Sequence, residues 1–112
     1  MKRFNLMSLF VLLFGCSTLL FAAEGSITIS SPADGAKLKA DGEYKVMYEI
    51  TPGPAGDHFH IYVDGKEDVV RALKGSYALP KLSPGSHTIT LKVVTKGHVP
   101  TGLEKTIKVT AQ

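Results

Sequence analysis

From residue 26 onward, apolar and polar side chains alternate with a period of two almost without interruption. Ile27 and Ile29 are interleaved with Ser26, Thr28 and Ser30, and Tyr44, Val46, Tyr48 and Ile50 with Glu43, Lys45, Met47 and Glu49. Ile89, Leu91 and Val93 alternate with Thr88, Thr90 and Lys92, as do Ile107 and Val109 with Thr106, Lys108 and Thr110. Successive side chains on a strand point to opposite faces, so each run predicts a strand with one buried face and one polar face. The β-branched and aromatic content of these runs agrees. Turn signals separate them: Ser31-Pro32-Ala33-Asp34-Gly35, Asp41-Gly42, the Pro- and Gly-rich stretch 51–56, Asp64-Gly65, Ser83-Pro84-Gly85 and Lys96-Gly97. Short strands of this kind predict two antiparallel sheets packed face to face, an immunoglobulin-like β-sandwich of about seven strands. Residues 66–74 fit neither period; they are expected to cross between the sheets, with a turn of helix or an edge strand inside. The expected core is Ile27, Ile29, Val46, Tyr48, Ile50, Phe59, Ile61, Val63, Leu79, Ile89, Leu91, Val93, Ile107 and Val109.

One run differs from the rest. In Asp57-His58-Phe59-His60-Ile61-Tyr62-Val63-Asp64-Gly65, the apolar face carries Phe59, Ile61 and Val63 while the other carries His58, His60 and Tyr62. That second face is either solvated or used.

The first 23 residues read as a segment separate from the domain. Lys2 and Arg3 form a positive start, Leu6 through Phe21 is an apolar run, and Ala22-Ala23 supplies small residues before Glu24-Gly25-Ser26. This predicts a signal peptide over 1–23, a domain over 24–112, and a periplasmic or secreted protein. Leu13-Phe14-Gly15-Cys16 also resembles a lipobox, which would lipidate Cys16 and supply the one membrane attachment considered beside an uncleaved anchor. Cys16 is the sole cysteine, so the expected mature domain has no disulfide and closes its core with apolar side chains alone. Of 13 Lys+Arg, Lys2 and Arg3 leave with the signal, so 11 remain against 10 Asp+Glu. A charge near +1 without a basic run gives no footprint for nucleic acid.

Three short motifs carry a resemblance. Ser31-Pro32-Ala33-Asp34-Gly35-Ala36 follows the first strand, Ile61-Tyr62-Val63-Asp64-Gly65 ends a middle strand, and Leu82-Ser83-Pro84-Gly85-Ser86-His87-Thr88-Ile89 opens a late one. Together they resemble bacterial immunoglobulin-like or fibronectin III-like domains of exported proteins, over nearly all of residues 26–110. The resemblance implies a spacer, adhesive or accessory module and no reaction. The chain departs from that family in its two strand histidines and in the loop Thr95–Gly102, where an acidic turn is common.

The candidate chemistry is a metal site. Residues two apart on a strand have Cα atoms ~6.6 Å apart on one face, so His58 and His60 can converge on one ion with nitrogen bonds of ~2.0–2.1 Å. If the late strand pairs antiparallel with the histidine strand, its end lies beside His58 and brings His98 to the same rim. His58, His60 and His98 then form a candidate site for copper or zinc, provided their nitrogens approach within ~4 Å. Met47, a soft donor, is expected on the other sheet. The structural alternative has His58 and His60 solvated or hydrogen-bonded at the surface and His98 as a loop residue. His87 falls on the core parity at the opposite end, where the family pattern often has a histidine; it is expected to satisfy turn carbonyls. Tyr62 reads as a half-buried tyrosine with a wet hydroxyl, the alternative being a stacking surface for sugar.

Asp34, Asp41, Asp57 and Asp64 are expected to bond back onto local turn amides, and Glu67-Asp68 to be solvated. No nucleophile elbow or phosphate loop occurs, and Ser86 and His87 point apart on a strand, so no enzyme activity is expected. The expected function is a small non-catalytic binding protein. Its ligand is a copper or zinc ion at the histidine rim or, as the alternative, a protein or glycan partner at the cell envelope.

Overall fold

The structure, a computed structural model, describes residues 24–112. The expected signal peptide and the lipidation motif at Cys16 lie outside the described residues. All regular elements described are strands: β1 (Ser26–Ser31), β2 (Lys37–Leu38), β3 (Lys45–Thr51), β4 (His58–Val63), β5 (Lys66–Val70), β6 (Lys74–Ala78), β7 (Gly85–Val94) and β8 (Pro100–Ala111). They form a three-stranded sheet of order β1-β3-β6 and a five-stranded sheet of order β2-β8-β7-β4-β5. The fold is an all-β, fibronectin III-like sandwich.

The alternation read from the sequence is realised most strictly in β3, where Val46, Tyr48 and Ile50 are buried and the intervening residues are exposed. Phe59 and Ile61 of β4 and Ile89, Leu91 and Val93 of β7 meet them from the five-stranded sheet, all without solvent contact. Tyr48 and Phe59 join the layers edge to face, ring centroids 4.9 Å apart at 68°. Ile27, Ile29 and Leu79 flank this core half-buried, while Leu38, Leu82 and Ala111, absent from the expected core, complete it.

Residues 66–74 resolve into the edge strand β5, paired antiparallel with β4, followed by a crossing at residues 71–73 into β6. The Tyr48 hydroxyl donates to the Ala72 carbonyl at 2.9 Å and anchors that crossing. The Tyr77 hydroxyl on β6 donates to Asp68 on β5 at 2.8 Å, pinning the two sheet edges together. Burial and then the Asp68 carboxylate push the Tyr77 phenol up to about 12. One pair departs from the antiparallel expectation: β2 runs parallel to β8, Lys37 opposite Thr110.

The turn aspartates reach farther than their own turns. Asp34 accepts the Lys108 N–H at 2.8 Å, 74 positions away, and so fastens the first turn to β8. Asp64, with φ of 52°, accepts the Thr88 N–H at 2.8 Å and the His87 Nδ1–H at 2.6 Å. His87 also donates from Nε2 to the Ser83 carbonyl at 2.6 Å, so both ring nitrogens act as donors and the ring is an imidazolium. The carboxylate of Asp64 and then the Ser83 carbonyl hold the His87 pKa above its ordinary value, against burial. Burial opposes ionisation of Asp64, but its hydrogen bonds to His87 and to the Thr88 amide bring its pKa down.

These shifts set a pH window. His87 contributes stability below the unfolded imidazole value, about 6.5, and loses it as pH rises through the higher folded value. Asp64 contributes above the unfolded carboxylate value, about 3.9, and loses it as pH falls through the lower folded value. Thermal melts should therefore show a larger fall in Tm between about pH 6 and about pH 9 for the parent than for His87→Asn. Equal slopes for the two proteins would remove the imidazolium from the account.

Candidate metal centre

β4 lies between β7 and β5, so its backbone is fixed on both sides, with His58 opposite Val94 of β7. His60 lies opposite Lys92 of β7 and Val69 of β5. Phe59 and Ile61 point into the sandwich, which turns His58, His60 and Tyr62 onto the outer face of the five-stranded sheet. The ten-residue β7 then returns as β8 through a tight turn at residues 95–99 beside the start of β4.

That turn is closed by three hydrogen bonds. The Thr95 N–H donates to the Val99 carbonyl at 2.8 Å, and the His98 N–H to the Thr95 carbonyl at 2.9 Å. The Val99 N–H donates to the Thr95 hydroxyl at 3.2 Å. β8 begins at Pro100, so the expected loop over Thr95–Gly102 is shorter than its composition suggests. His98 has φ of 68°, a left-handed conformation that tight hairpin turns ordinarily give to glycine. On the other side, the turn at 52–56 packs closely: a Cβ on Gly56 would collide with the Pro52 carbonyl and the Val93 side chain.

The three histidines named from the sequence come together. Ring centroids are 5.3 Å apart for His58 and His60, 4.6 Å for His58 and His98, and 5.0 Å for His60 and His98. One nitrogen from each lies within 4.8 Å of the others. His60 Nε2 and His98 Nδ1 are 2.9 Å apart, inside the expected ~4 Å. Bonds of ~2.1 Å hold ligand nitrogens no more than ~4.2 Å apart, so loading one ion draws together any pair wider than that. His98, the exposed member on the turn, is the one placed to move.

Of the two expectations for this face, solvated or used, burial rules out the solvated one. His58 is 1% exposed and His60 6%, and Val94 beside them is 2% exposed although it does not join the central core. The outer face thus holds a second small buried patch at the 95–99 turn.

Two carboxylates order the rings. His58 Nδ1 bonds Asp57 Oδ2 at 2.9 Å, and His60 Nδ1 bonds Glu67 Oε2 at 2.5 Å. A carboxylate accepts, so each Nδ1 carries a proton, and in the neutral imidazole each Nε2 then carries the lone pair. His98 Nδ1–H can then donate to His60 Nε2, while His58 Nε2 is a buried acceptor without a partner among the described residues. Leaving a buried polar atom unpaired costs about 1–3 kcal/mol. The Asp57 carboxyl is held below its usual range, chiefly by the His58 hydrogen bond and further by the nearby Lys96 and Arg71 charges, against desolvation. Glu67 also accepts the Tyr62 hydroxyl at 3.1 Å; burial and that carboxylate raise the Tyr62 phenol.

Asp57 and Glu67 thus back the two rings, whereas the sequence alone assigns them elsewhere, one to a turn and one to solvent. A sequence signal did exist for Glu67. In a tight β4–β5 hairpin turning at Asp64-Gly65, residue 67 falls opposite Tyr62 and beside His60 on the same face. Met47 lies on β3 in the other sheet, as expected, and His87 at the far end of β7.

No protein-family model matches the chain, and no curated protein sequence matches it. Among solved structures, it is similar to the fibronectin(III)-like modules of Clostridium thermocellum CbhA. The TM-score is 0.63 at 15% sequence identity, over 77% of this chain and 96% of that one. This similarity extends to the fold.

Proposed function

We propose that this domain is an exported, non-catalytic binding protein whose ligand is a copper or zinc ion held by His58, His60 and His98. The observation that carries the reading is His58 Nε2, a buried nitrogen without a partner among the described residues, on a ring whose centroid lies 5.3 and 4.6 Å from those of His60 and His98. A structural histidine would be expected to spend that acceptor on an N–H or hydroxyl; a metal ligand keeps it free. The carboxylates of Asp57 and Glu67 fit the same role, since a ligating histidine commonly gives its second N–H to a carboxylate that fixes its tautomer and raises its basicity. His58 and His60 then bind through Nε2 and His98 through Nδ1, its proton passing to Nε2. Three neutral imidazoles without thiolate suit zinc or copper.

The test is titration of the purified protein with Zn(II), Cu(II) and Cu(I). One ion should bind per chain, and His58→Ala and His60→Ala should each weaken affinity by about two orders of magnitude or more, since even indirect ligand partners contribute 10–100-fold. Affinity should also fall on acidification from about pH 7.5 to about pH 5, because protons compete for the same lone pairs. Parent-like affinity in both variants, or binding undiminished at the lower pH, removes the reading.

A second reading is an interaction module for a protein or glycan, supported by the similarity to fibronectin(III)-like modules and by the free edge of β5. It gains if the metal titration is flat.

A further inference from the structure

The described residues offer three donors to the proposed ion and no fourth. His58, His60 and His98 are the described group of three or more His, Cys, Asp or Glu side chains that could converge on one ion. The neighbouring carboxylates are spent on the wrong side of the rings. Asp57 and Glu67 bond the Nδ1 atoms of His58 and His60, and the two nitrogens of an imidazole point in divergent directions. Glu67 is further held by the Tyr62 hydroxyl. Met47, the sole thioether among the described residues, lies on the other sheet, and no cysteine occurs beyond residue 16. Lys92 sits 5.1 Å from the Tyr62 ring centroid as a cation and offers no lone pair.

Zinc held by three protein donors completes its tetrahedron with a ligand that the protein does not supply, and copper(II) seeks at least four. We infer that an ion bound here takes its fourth ligand from a second molecule, a monodentate donor of the imidazole or small-anion class, so that the domain binds that molecule through the metal. The inference rests on the metal reading above. The surroundings favour a nitrogen heterocycle over an anion. Val69, directly across from His60 on the same face, is 42% exposed, and Val99, next to His98, is 59% exposed. Such apolar surface gains contact with an incoming ring and gains little from azide.

The experiment loads the purified protein with Co(II), whose visible spectrum reports coordination number and donor set, and titrates azide, free imidazole and the peptide Gly-His-Gly. Imidazole is expected to shift the bands saturably, with one equivalent bound, half-saturating at a lower concentration than azide and without releasing cobalt on gel filtration. A matching shift with the peptide assigns the position to polypeptide histidines; a shift with imidazole alone assigns it to small molecules. Cobalt bound at one equivalent, with bands unmoved by all three probes, overturns this inference and leaves the metal reading standing. Failure of cobalt, zinc and copper alike to bind, or binding of all of them unaffected by His60→Ala, strikes the metal reading and this inference together.

Discussion

His98→Gly should leave the protein at least as stable as the parent while lowering its affinity for zinc or copper by about two orders of magnitude, since it deletes a ligand outright rather than a partner of one. The two halves of that result come from one backbone angle. At φ of 68° a side chain with a Cβ is strained, and glycine is the residue that this position of a tight hairpin prefers. Relieving a left-handed conformation is worth roughly 1–2 kcal/mol, although glycine's greater chain entropy offsets about 0.5–1 kcal/mol of it. The lost hydrogen bond from His98 Nδ1 to His60 Nε2 is partly exposed, and water replaces it. On the functional side, glycine removes the third imidazole and leaves two donors on β4. Parallel measurements of Tm without metal and of metal affinity decide the matter. A large loss of metal-free stability with affinity retained would make His98 a structural turn residue, and the strained angle would need another cause.

Strain at a non-glycine residue thus becomes informative only beside the cluster it serves. A histidine in the left-handed region is uncommon but unremarkable alone, because histidine is among the residues enriched there. Here the same residue is the exposed member of a three-imidazole group whose other members are buried and backed by carboxylates. A fold without chemistry at this rim would gain from glycine at 98 and from an apolar residue at 58.

How much of this could be read in advance follows from which forces are local. Period-two alternation in residues 44–50 and 57–63 made the strands and their facing visible, because burial acts on single side chains. The rim position of His98 followed from antiparallel pairing of two strands, since one strand's end must lie beside the other's start. The two-residue β2 and the Gly- and Ser-bearing β6 were not visible: they lack β-branched residues and are held by their partners. Burial of His58 and His60 was hidden for a related reason. It depends on the tight closure of the 95–99 turn beside Val94, a tertiary event with no periodic trace. The roles of Asp57 and Glu67 required the register of β4 against β5, which becomes calculable once the Asp64-Gly65 hairpin is granted.

Phe59→Ala should produce the largest loss of stability among single core substitutions, about 3–5 kcal/mol in chemical unfolding. Phe59 has no solvent contact and packs edge-on against Tyr48, so truncation forfeits burial, leaves a cavity and breaks the aromatic link between the sheets. For a domain whose total stability is of order 5–15 kcal/mol, much of the margin goes. Phe59→Leu, which keeps most of the volume, should cost roughly half as much or less. The same residue separates His58 from His60, and its insertion into the core holds their strand in register. Binding of a metal at these imidazoles is therefore expected to be thermodynamically linked to the core. An ion that binds only the folded chain stabilises it by about 2.7 kcal/mol when its free concentration is 100-fold above Kd. Saturating zinc should consequently recover most of the Tm lost in Phe59→Ala, and none in the double variant Phe59→Ala/His60→Ala. Recovery in both would place the ion elsewhere on the domain; recovery in neither would show that the truncated core no longer holds the two imidazoles in a geometry that binds.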